Sequence, residues 1–112
     1  MLIYKIFRAD EWAVLQTAGE TAGAPVDLTD GYVHFSTADQ AVETAAKWFA
    51  GVGGLVLLAC DTDGMGDDLK WEPSRGGALF PHLYRALRMD DVIWSAPLPI
   101  ESGTHIFPKE ML

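Results

Sequence analysis

The sequence predicts an α+β fold. It indicates one domain in which two packed, mostly antiparallel sheets form a split β-sandwich and two short helices lie early in the chain. Helical patterns occur only in the first half of the sequence, whereas short apolar runs typical of strands continue to its end. The length of 112 residues fits one domain. A composition with 49% hydrophobic and 21% charged residues is typical of globular proteins.

The first strand, the first helix and a loop are predicted before residue 32. Residues 2–7 (LIYKIF) are apolar, branched and aromatic, which predicts a strand. Residues 9–19 place acids in the first turn and end at a glycine, which predicts a short helix. Residues 19–31 are rich in Gly, Pro and Asp and are interpreted as a loop.

A second strand, YVHFS at residues 32–36, leads directly into the second helix. Thr37 and Gln40 form a capping-box pattern that predicts where this helix begins. Apolar residues then follow at the i, i+3, i+4 and i+7 spacing of a buried stripe. The predicted stripe consists of Val42, Ala45, Ala46 and Phe49.

The second half of the chain is predicted to be mostly strand. Residues 55–60 (LVLLAC) have no polar alternation, so we expect a central strand covered on both faces, with a buried, inert Cys60 at its end. Pro81 lies within another extended run and favours an edge strand or a bulge there. Further strands are predicted at residues 69–72, 79–87, 92–100 and 104–107.

Charge and composition argue against several classes of partner. The net charge is −8 and the eight basic residues are scattered along the sequence, so no nucleic-acid binding is expected. No apolar run approaches the roughly 20 residues that span a bilayer, and no signal peptide is evident. We therefore predict a cytoplasmic protein with no membrane partner. A single cysteine excludes an intramolecular disulfide.

Metal and hydrolytic sites are disfavoured by spacing. Residues 61–72 match several positions of a calcium-binding loop, but Met65 replaces an oxygen ligand and a strand precedes the loop. A solvated acidic turn is the better interpretation. Ser36 lies outside any G-x-S-x-G elbow, which argues against a hydrolytic triad. No metal is predicted, because the three histidines lack the spacing of ligand pairs: His34, His82 and His105.

Two of the predicted strands carry polar and aromatic side chains on one face. Residues two apart in a strand share a face, and imidazole, phenol and hydroxyl groups suit a binding site. The two strands could form the walls of one cleft; alternatively, both faces are solvated and the histidines have no role. Glu72, on a neighbouring strand, could bind a ribose hydroxyl or act as a base. The two faces consist of Tyr32, His34 and Ser36, and of Phe80, His82 and Tyr84.

The segments IYKI, DGYVHFSTADQ, LVLL, LKWE and FPHLY together resemble a bacterial family known as domain of unknown function 952. The resemblance runs from Ile3 to about Leu98. That family is similar in fold to the ADP-ribosyltransferases, which hold NAD in a cleft between two small antiparallel sheets. The segment VHFS, with the following helix and LVLL, also resembles RNA 2′-phosphotransferases of the same superfamily.

The resemblance implies roles for particular residues. His34 falls where the superfamily places a contact to the ribose on the nicotinamide side, and Ser36 would bind the sugar or the carboxamide. Lys5 falls at the first position of the superfamily triad, where family members often have histidine. The nicotinamide would stack on Tyr32, Phe80 or Tyr84.

Two points of the implied triad stay open. Its third position could be His82, Tyr84 or Glu72. Lys5 lacks the flat edge and neutral form of imidazole, and Arg85 replaces a glycine common in the family. Both departures argue against catalysis.

The resemblance thus implies a protein that binds NAD, as a substrate, or a related small-molecule nucleotide, and that could transfer ADP-ribose. The alternative is a non-catalytic module on the same fold that binds a small ligand or a protein of unspecified identity.

Overall fold

The computed structural model describes residues 1–111 and confirms an α+β fold with antiparallel strand pairing. The helices are α1 (Ala9–Ala18), α2 (Pro25–Asp30) and α3 (Ala38–Trp48). The strands are β1 (Leu2–Phe7), β2 (Glu20–Thr21), β3 (Val33–His34), β4 (Leu55–Asp61), β5 (Leu69–Pro73), β6 (Leu79–Leu83), β7 (Leu87–Arg88), β8 (Val92–Leu98), β9 (Ile100–Glu101) and β10 (Thr104–His105).

The first sheet has the order β1-β4-β8. Its middle strand β4 is covered on both faces, as the unbroken apolar run predicted, and Leu57 and Leu58 are fully buried on opposite sides. One face packs on α3, and the other packs on α1 and the second sheet. Strand β1 lies at the edge of this sheet, and its Lys5 pairs in register with Leu58.

The second sheet has the order β3-β6-β5. Its register places His34 directly opposite His82. The expectation that Pro81 marks an edge strand or a bulge is wrong, because β6 is the middle strand and pairs without a register shift. Proline is accommodated there since the adjoining bond uses its carbonyl, which accepts from the Phe35 backbone N–H at 2.9 Å, and not the missing N–H.

The two sheets meet where β3 ends beside β1. The Tyr4 backbone N–H donates to the Ser36 carbonyl at 2.8 Å, and the Ser36 N–H donates back to the Tyr4 carbonyl at 2.9 Å. This reciprocal pair holds the first strand against the segment that follows His34. The β2–β7 and β9–β10 pairs are short antiparallel additions.

Helix α2 corrects the prediction that residues 19–31 form a loop and that the chain has only two early helices. Pro25 occupies the first helical turn, where its fixed φ is favourable and no N–H is needed. The Asp27 carboxylate accepts a hydrogen bond from the Ala24 N–H at 2.7 Å. Gly31 then adopts φ 85°, a left-handed conformation that ends the helix.

Helix α3 begins as predicted but presents a different face. The Thr37 hydroxyl accepts from the Gln40 N–H at 3.4 Å, and Gln40 accepts from the Thr37 N–H at 3.0 Å. The predicted stripe is wrong at Val42 and Ala46, which are exposed. Ala45 is buried as predicted, and Ala41 is buried in place of Val42, because these small side chains let the helix lie close to the sheet.

Cys60 is fully buried at the end of β4, as expected. Burial raises the pKa of its thiol to about 12, so the sulfur stays protonated at neutral pH. Within residues 1–111, no helix is both long and apolar enough to span a membrane.

Candidate functional site

A cleft of about 810 Å³ opens between strands β1, β3 and β6. The beginnings of α1 and α2 and the end of α3 also line it. Its volume lies within the roughly 300–1,000 Å³ typical of small-molecule sites. Five of the eight predicted site residues line it: Lys5, His34, Ser36, Phe80 and His82. The cleft therefore brings together groups from both sheets.

The other predicted residues lie beside this cleft. Tyr32 and Tyr84 line a smaller cavity of about 250 Å³ together with Asp27 and Arg85. Glu72 lines neither cavity but contacts the His82 side chain. The predicted face of Tyr32, His34 and Ser36 is thus divided between two cavities.

The two imidazoles form the centre of the site. The rings of His34 and His82 have centroids 5.3 Å apart and meet edge to face. Tyr32 stacks on His82 with centroids 4.3 Å apart and an interplanar angle of 28°. The strand periodicity placed each histidine on a polar face, and the antiparallel register makes the two rings neighbours.

Asp27 holds the inner side of the site. Its Oδ1 accepts from His34 Nδ1 at 2.6 Å and from the His34 backbone N–H at 3.0 Å. Its Oδ2 contacts Lys5 Nζ at 2.7 Å and also accepts from the Ala24 N–H. This carboxylate is fully buried, and its four partners come from β1, the start of α2 and β3.

The charges of this inner pair depend on each other. Burial by itself would raise the pKa of Asp27, but the hydrogen bond from His34 and the charge of Lys5 outweigh it and lower that pKa. Burial also lowers the pKa of Lys5, while Asp27 opposes that change. The Lys5 charge therefore depends on Asp27, and the Asp27 charge depends first on the hydrogen bond from His34 and then on Lys5.

Asp30 contacts the outer side of the same imidazole. Its Oδ2 lies 2.9 Å from His34 Nε2, so both ring nitrogens of His34 face carboxylates. The Asp30 side chain is 40% exposed, whereas that of Asp27 is inaccessible. His34 is held between one buried and one partly solvated acid.

His82 has a carboxylate partner of its own. Glu72 Oε1 accepts from His82 Nδ1 at 2.8 Å and from the Tyr84 hydroxyl at 2.6 Å. Of the three candidates for the third triad position, Glu72 thus contacts both of the others, His82 and Tyr84. The Tyr84 hydrogen bond, followed by that of His82, lowers the pKa of Glu72, and the same carboxylate raises the pKa of Tyr84 to about 12.

Sequence reasoning missed Asp27 and Asp30, since both lie in the segment interpreted as a loop. A signal was present, because Pro25 followed two residues later by an acid is typical of the first turn of a helix. That pattern would have placed Asp27 at a capping position. Its contact with Lys5 depends on tertiary structure and has no local signature.

Arg85, which stands where the family resemblance implies a glycine, forms an ion pair with Asp91. Its guanidinium donates to both oxygens of Asp91 at 2.9 Å. The hydrogen bond with Asp91 raises the pKa of Arg85. Burial opposes ionisation of Asp91, but the bonds from Arg85 and the Arg88 N–H prevail and lower its pKa. Arg85 therefore fixes the wall of the smaller cavity.

The rim of the large cleft carries a cation and aromatic rings. Arg8 lies over the Phe49 ring, 5.0 Å from its centroid, and remains about half exposed. Trp48 also lines the cleft and is 62% exposed. In the part of the chain that the structure describes, no three potential metal ligands among His, Cys, Asp and Glu lie close enough to hold an ion.

Comparison with known proteins identifies a family but no activity. The model of the family described as "Protein of unknown function (DUF952)" matches residues 6–95. The crystal structure of CC0527 from Caulobacter crescentus is similar, with 50% sequence identity and a TM-score of 0.90 over 95% of this chain and 94% of that chain. A crystal structure of a CC0527 double mutant gives the same values. The solution structure of CC0527 has a TM-score of 0.83 and 50% identity over 93% of this chain and 90% of that one. No curated protein matches the sequence.

Proposed function

The chain belongs to the DUF952 family, and we propose that its large cleft binds NAD or a related nucleotide. The observation that carries this proposal is the imidazole pair. His34 and His82 lie 5.3 Å apart on the wall of a ligand-sized cleft, and a carboxylate fixes Nδ1 of each ring. Imidazoles oriented in this way suit hydrogen bonding to sugar and phosphate oxygens.

Other cleft residues supply what a nucleotide requires. Ser36 offers a hydroxyl to a ribose or a carboxamide, and Arg8 offers a cation to a phosphate. Phe80 and the exposed Trp48 present aromatic surface to a flat ring. A nucleotide combines all three of these chemical elements in one small molecule.

The chemistry that such a site could support is transfer of ADP-ribose. The bond between nicotinamide and ribose breaks, and nicotinamide leaves with the bonding electron pair. An acceptor then donates an electron pair to the ribose carbon, and its proton passes to an imidazole. The ribose carbon is cationic on the way, so a nearby negative charge would stabilise it.

A second candidate is a binding module without catalysis. The observation that favours it is Lys5, which falls at the implied first triad position but is buried and paired with Asp27. A lysine held in this way is less available to a substrate than an unpaired imidazole. The cleft would then bind a small ligand or a segment of a protein without reacting.

A titration monitored by two-dimensional NMR tests the proposal. NAD, nicotinamide and ADP-ribose are added separately to isotopically labelled protein, and shifts are mapped onto the structure. We expect NAD and ADP-ribose to shift resonances of residues lining the cleft, and nicotinamide to act on a smaller subset. Unchanged cleft resonances at millimolar NAD would overturn the proposal.

His34→Ala is the variant to combine with this titration. We expect this variant to bind NAD at least tenfold more weakly in the titration, because a hydrogen bond to a charged group contributes roughly 1.5–3 kcal/mol. If the cleft is catalytic, release of nicotinamide is lost as well. His105→Ala is the matched control, since it removes an imidazole that contacts the Val52 carbonyl outside the cleft.

A further inference from the structure

The outer nitrogen of His34 is occupied in this structure. Asp30 Oδ2 lies 2.9 Å from Nε2, while Asp27 Oδ1 lies 2.6 Å from Nδ1. A carboxylate oxygen therefore lies against each ring nitrogen, and the Asp30 oxygen blocks the approach of another group to Nε2. A ligand that uses Nε2 must therefore take the position of Asp30.

The two acids differ in how readily they can leave. Asp27 is inaccessible and also binds Lys5 and two backbone N–H groups. The Asp30 side chain is partly solvated and belongs to the last residue of α2, next to Gly31 with φ 85°. An acid at a helix C-terminus is disfavoured by the helix dipole, so movement of Asp30 into water carries little penalty.

The atom that Asp30 places on Nε2 indicates what a ligand would place there. A carboxylate oxygen fits at hydrogen-bond distance, and a phosphate oxygen has the same charge and acceptor character. Other donors that line the cleft are the Ser36 hydroxyl, the Arg8 guanidinium and the His82 ring. These groups form a set of donors suited to an oxyanion.

We propose that Asp30 is a specificity-determining residue that competes with the ligand for His34. Without ligand, the Asp30 carboxylate lies against Nε2; with ligand, a phosphate or similar anionic oxygen replaces it and Asp30 turns to solvent. The cleft then selects ligands whose oxyanion binds His34 better than Asp30 does. The inference rests on the proposed function only for the identity of the rest of the ligand.

The contact itself is tested without any ligand. Protein labelled with ¹⁵N-histidine gives separate signals for the ring nitrogens of the three histidines. We expect Asp30→Ala to shift the Nε2 signal of His34 and to leave His105 unchanged. Asp67→Ala is the matched control, because it removes one exposed carboxylate that lines neither cavity. An unchanged Nε2 signal in Asp30→Ala would refute the contact.

The competition is tested by titration with inorganic phosphate. We expect Asp30→Ala to bind phosphate about tenfold more tightly than the wild type, because a charged competitor at hydrogen-bond distance is gone. Asp67→Ala should change the affinity by no more than about twofold, since exposed charges are screened. Equal gains in both variants, or no phosphate effect on His34 in any of them, would overturn the proposal.

The outcome separates this inference from the proposed function. If phosphate binds His34 more tightly in Asp30→Ala while NAD and ADP-ribose leave the cleft unaffected, Asp30 competes with oxyanions and the nucleotide proposal fails. If NAD shifts the cleft equally in the wild type and Asp30→Ala, with phosphate affinity also unchanged, the nucleotide proposal stands and the role of Asp30 fails.

Discussion

The site contains two versions of the same arrangement, in which a carboxylate fixes Nδ1 of a histidine. In the inner version, Asp27 is inaccessible and binds His34, Lys5 and two backbone N–H groups. In the outer version, Glu72 has a side chain 37% exposed and binds His82 and Tyr84. Because the two histidines face each other across paired strands, both versions serve one cleft.

The two carboxylates differ in their exposure to solvent, and this difference predicts different effects of mutation. Water can replace a partner that Glu72 loses, whereas nothing replaces a partner lost by a buried ion. The inner carboxylate therefore maintains the fold as well as orienting His34. The outer carboxylate can be altered with much less effect on folding, so its contribution to the site can be measured separately.

Asp27→Asn is expected to have the largest effect. The change leaves Lys5 buried without a counter-charge and replaces an acceptor of four hydrogen bonds by an amide that can accept fewer. Breaking a buried ion pair in this way costs about 3–5 kcal/mol of unfolding free energy. Urea denaturation followed by circular dichroism measures the loss.

Two further variants show whether the effect belongs to the buried pair. Lys5→Met combined with Asp27→Asn should recover part of the stability, because no unpaired charge remains in the interior. Glu72→Gln should be much less destabilising than Asp27→Asn. Comparable losses in Asp27→Asn and Glu72→Gln would contradict the distinction between the two regions.

The second-largest expected effect is a loss of unfolding free energy at acidic pH, caused by protonation of Asp27. The pKa of Asp27 is lower in the folded chain than in the unfolded chain, so the unfolded state binds more protons between the two values. The stability from this group is complete above the unfolded pKa of about 3.9 and is lost as pH falls through the folded pKa. The unfolding free energy should therefore decline below about pH 4.

The same measurement on Asp27→Asn provides the control. Its acid dependence should be smaller but still present, since the pKa values of Asp91 and Glu72 are also lowered in the folded chain. An identical slope of unfolding free energy against pH in both proteins would show that Asp27 does not carry the effect.

Much of the fold could be predicted from local patterns. The apolar run of β4 and the capping box of α3 specify their elements from adjacent residues, and both are confirmed. The buried face of α3 was not fully predictable from hydrophobicity, because Ala41 packs against the sheet where Val42 was expected, whereas the burial of Ala45 was predicted. Which of two similar apolar faces of α3 is buried depends on how closely the helix packs against the sheet.

In the candidate site, too, some features follow from local sequence patterns and others depend on the tertiary fold. The period of two in a strand placed His34 and Ser36 on one face, and both line the cleft. The contact between Lys5 and Asp27 joins β1 to a helix that was interpreted as a loop. Lys5 and Asp27 are far apart in the sequence and share no periodic pattern. Their contact can therefore be predicted only when the tertiary fold is known.

Lys5→His replaces the buried lysine of the inner region by the residue that the family resemblance implies at this position. An imidazole at this position is shorter, can be neutral and has a flat edge that lysine lacks. Within the proposed function, we expect Lys5→His to release nicotinamide from NAD faster than the wild type. Lys109→His, an exposed substitution of the same kind, should leave the rate unchanged.

The opposite outcomes have a clear meaning for the proposed chemistry. A silent wild type with an active Lys5→His indicates a chain that has lost catalysis through this one residue. If neither protein releases nicotinamide and NAD still fails to perturb the cleft, the transferase proposal fails and the binding module remains.

The smallest expected effect lies in the outer region and concerns only the Tyr84 hydroxyl. Its pKa is raised to about 12, chiefly because it donates a hydrogen bond to the Glu72 carboxylate, whose negative charge also opposes tyrosinate. Glu72→Gln keeps an acceptor but removes the charge, so the pKa of Tyr84 should fall toward the ordinary value of about 10. Ultraviolet titration of tyrosinate measures this change, and Tyr84→Phe identifies the signal by removing it. A late-titrating tyrosine that persists in Glu72→Gln would mean that another group, not the solvated carboxylate, controls this hydroxyl.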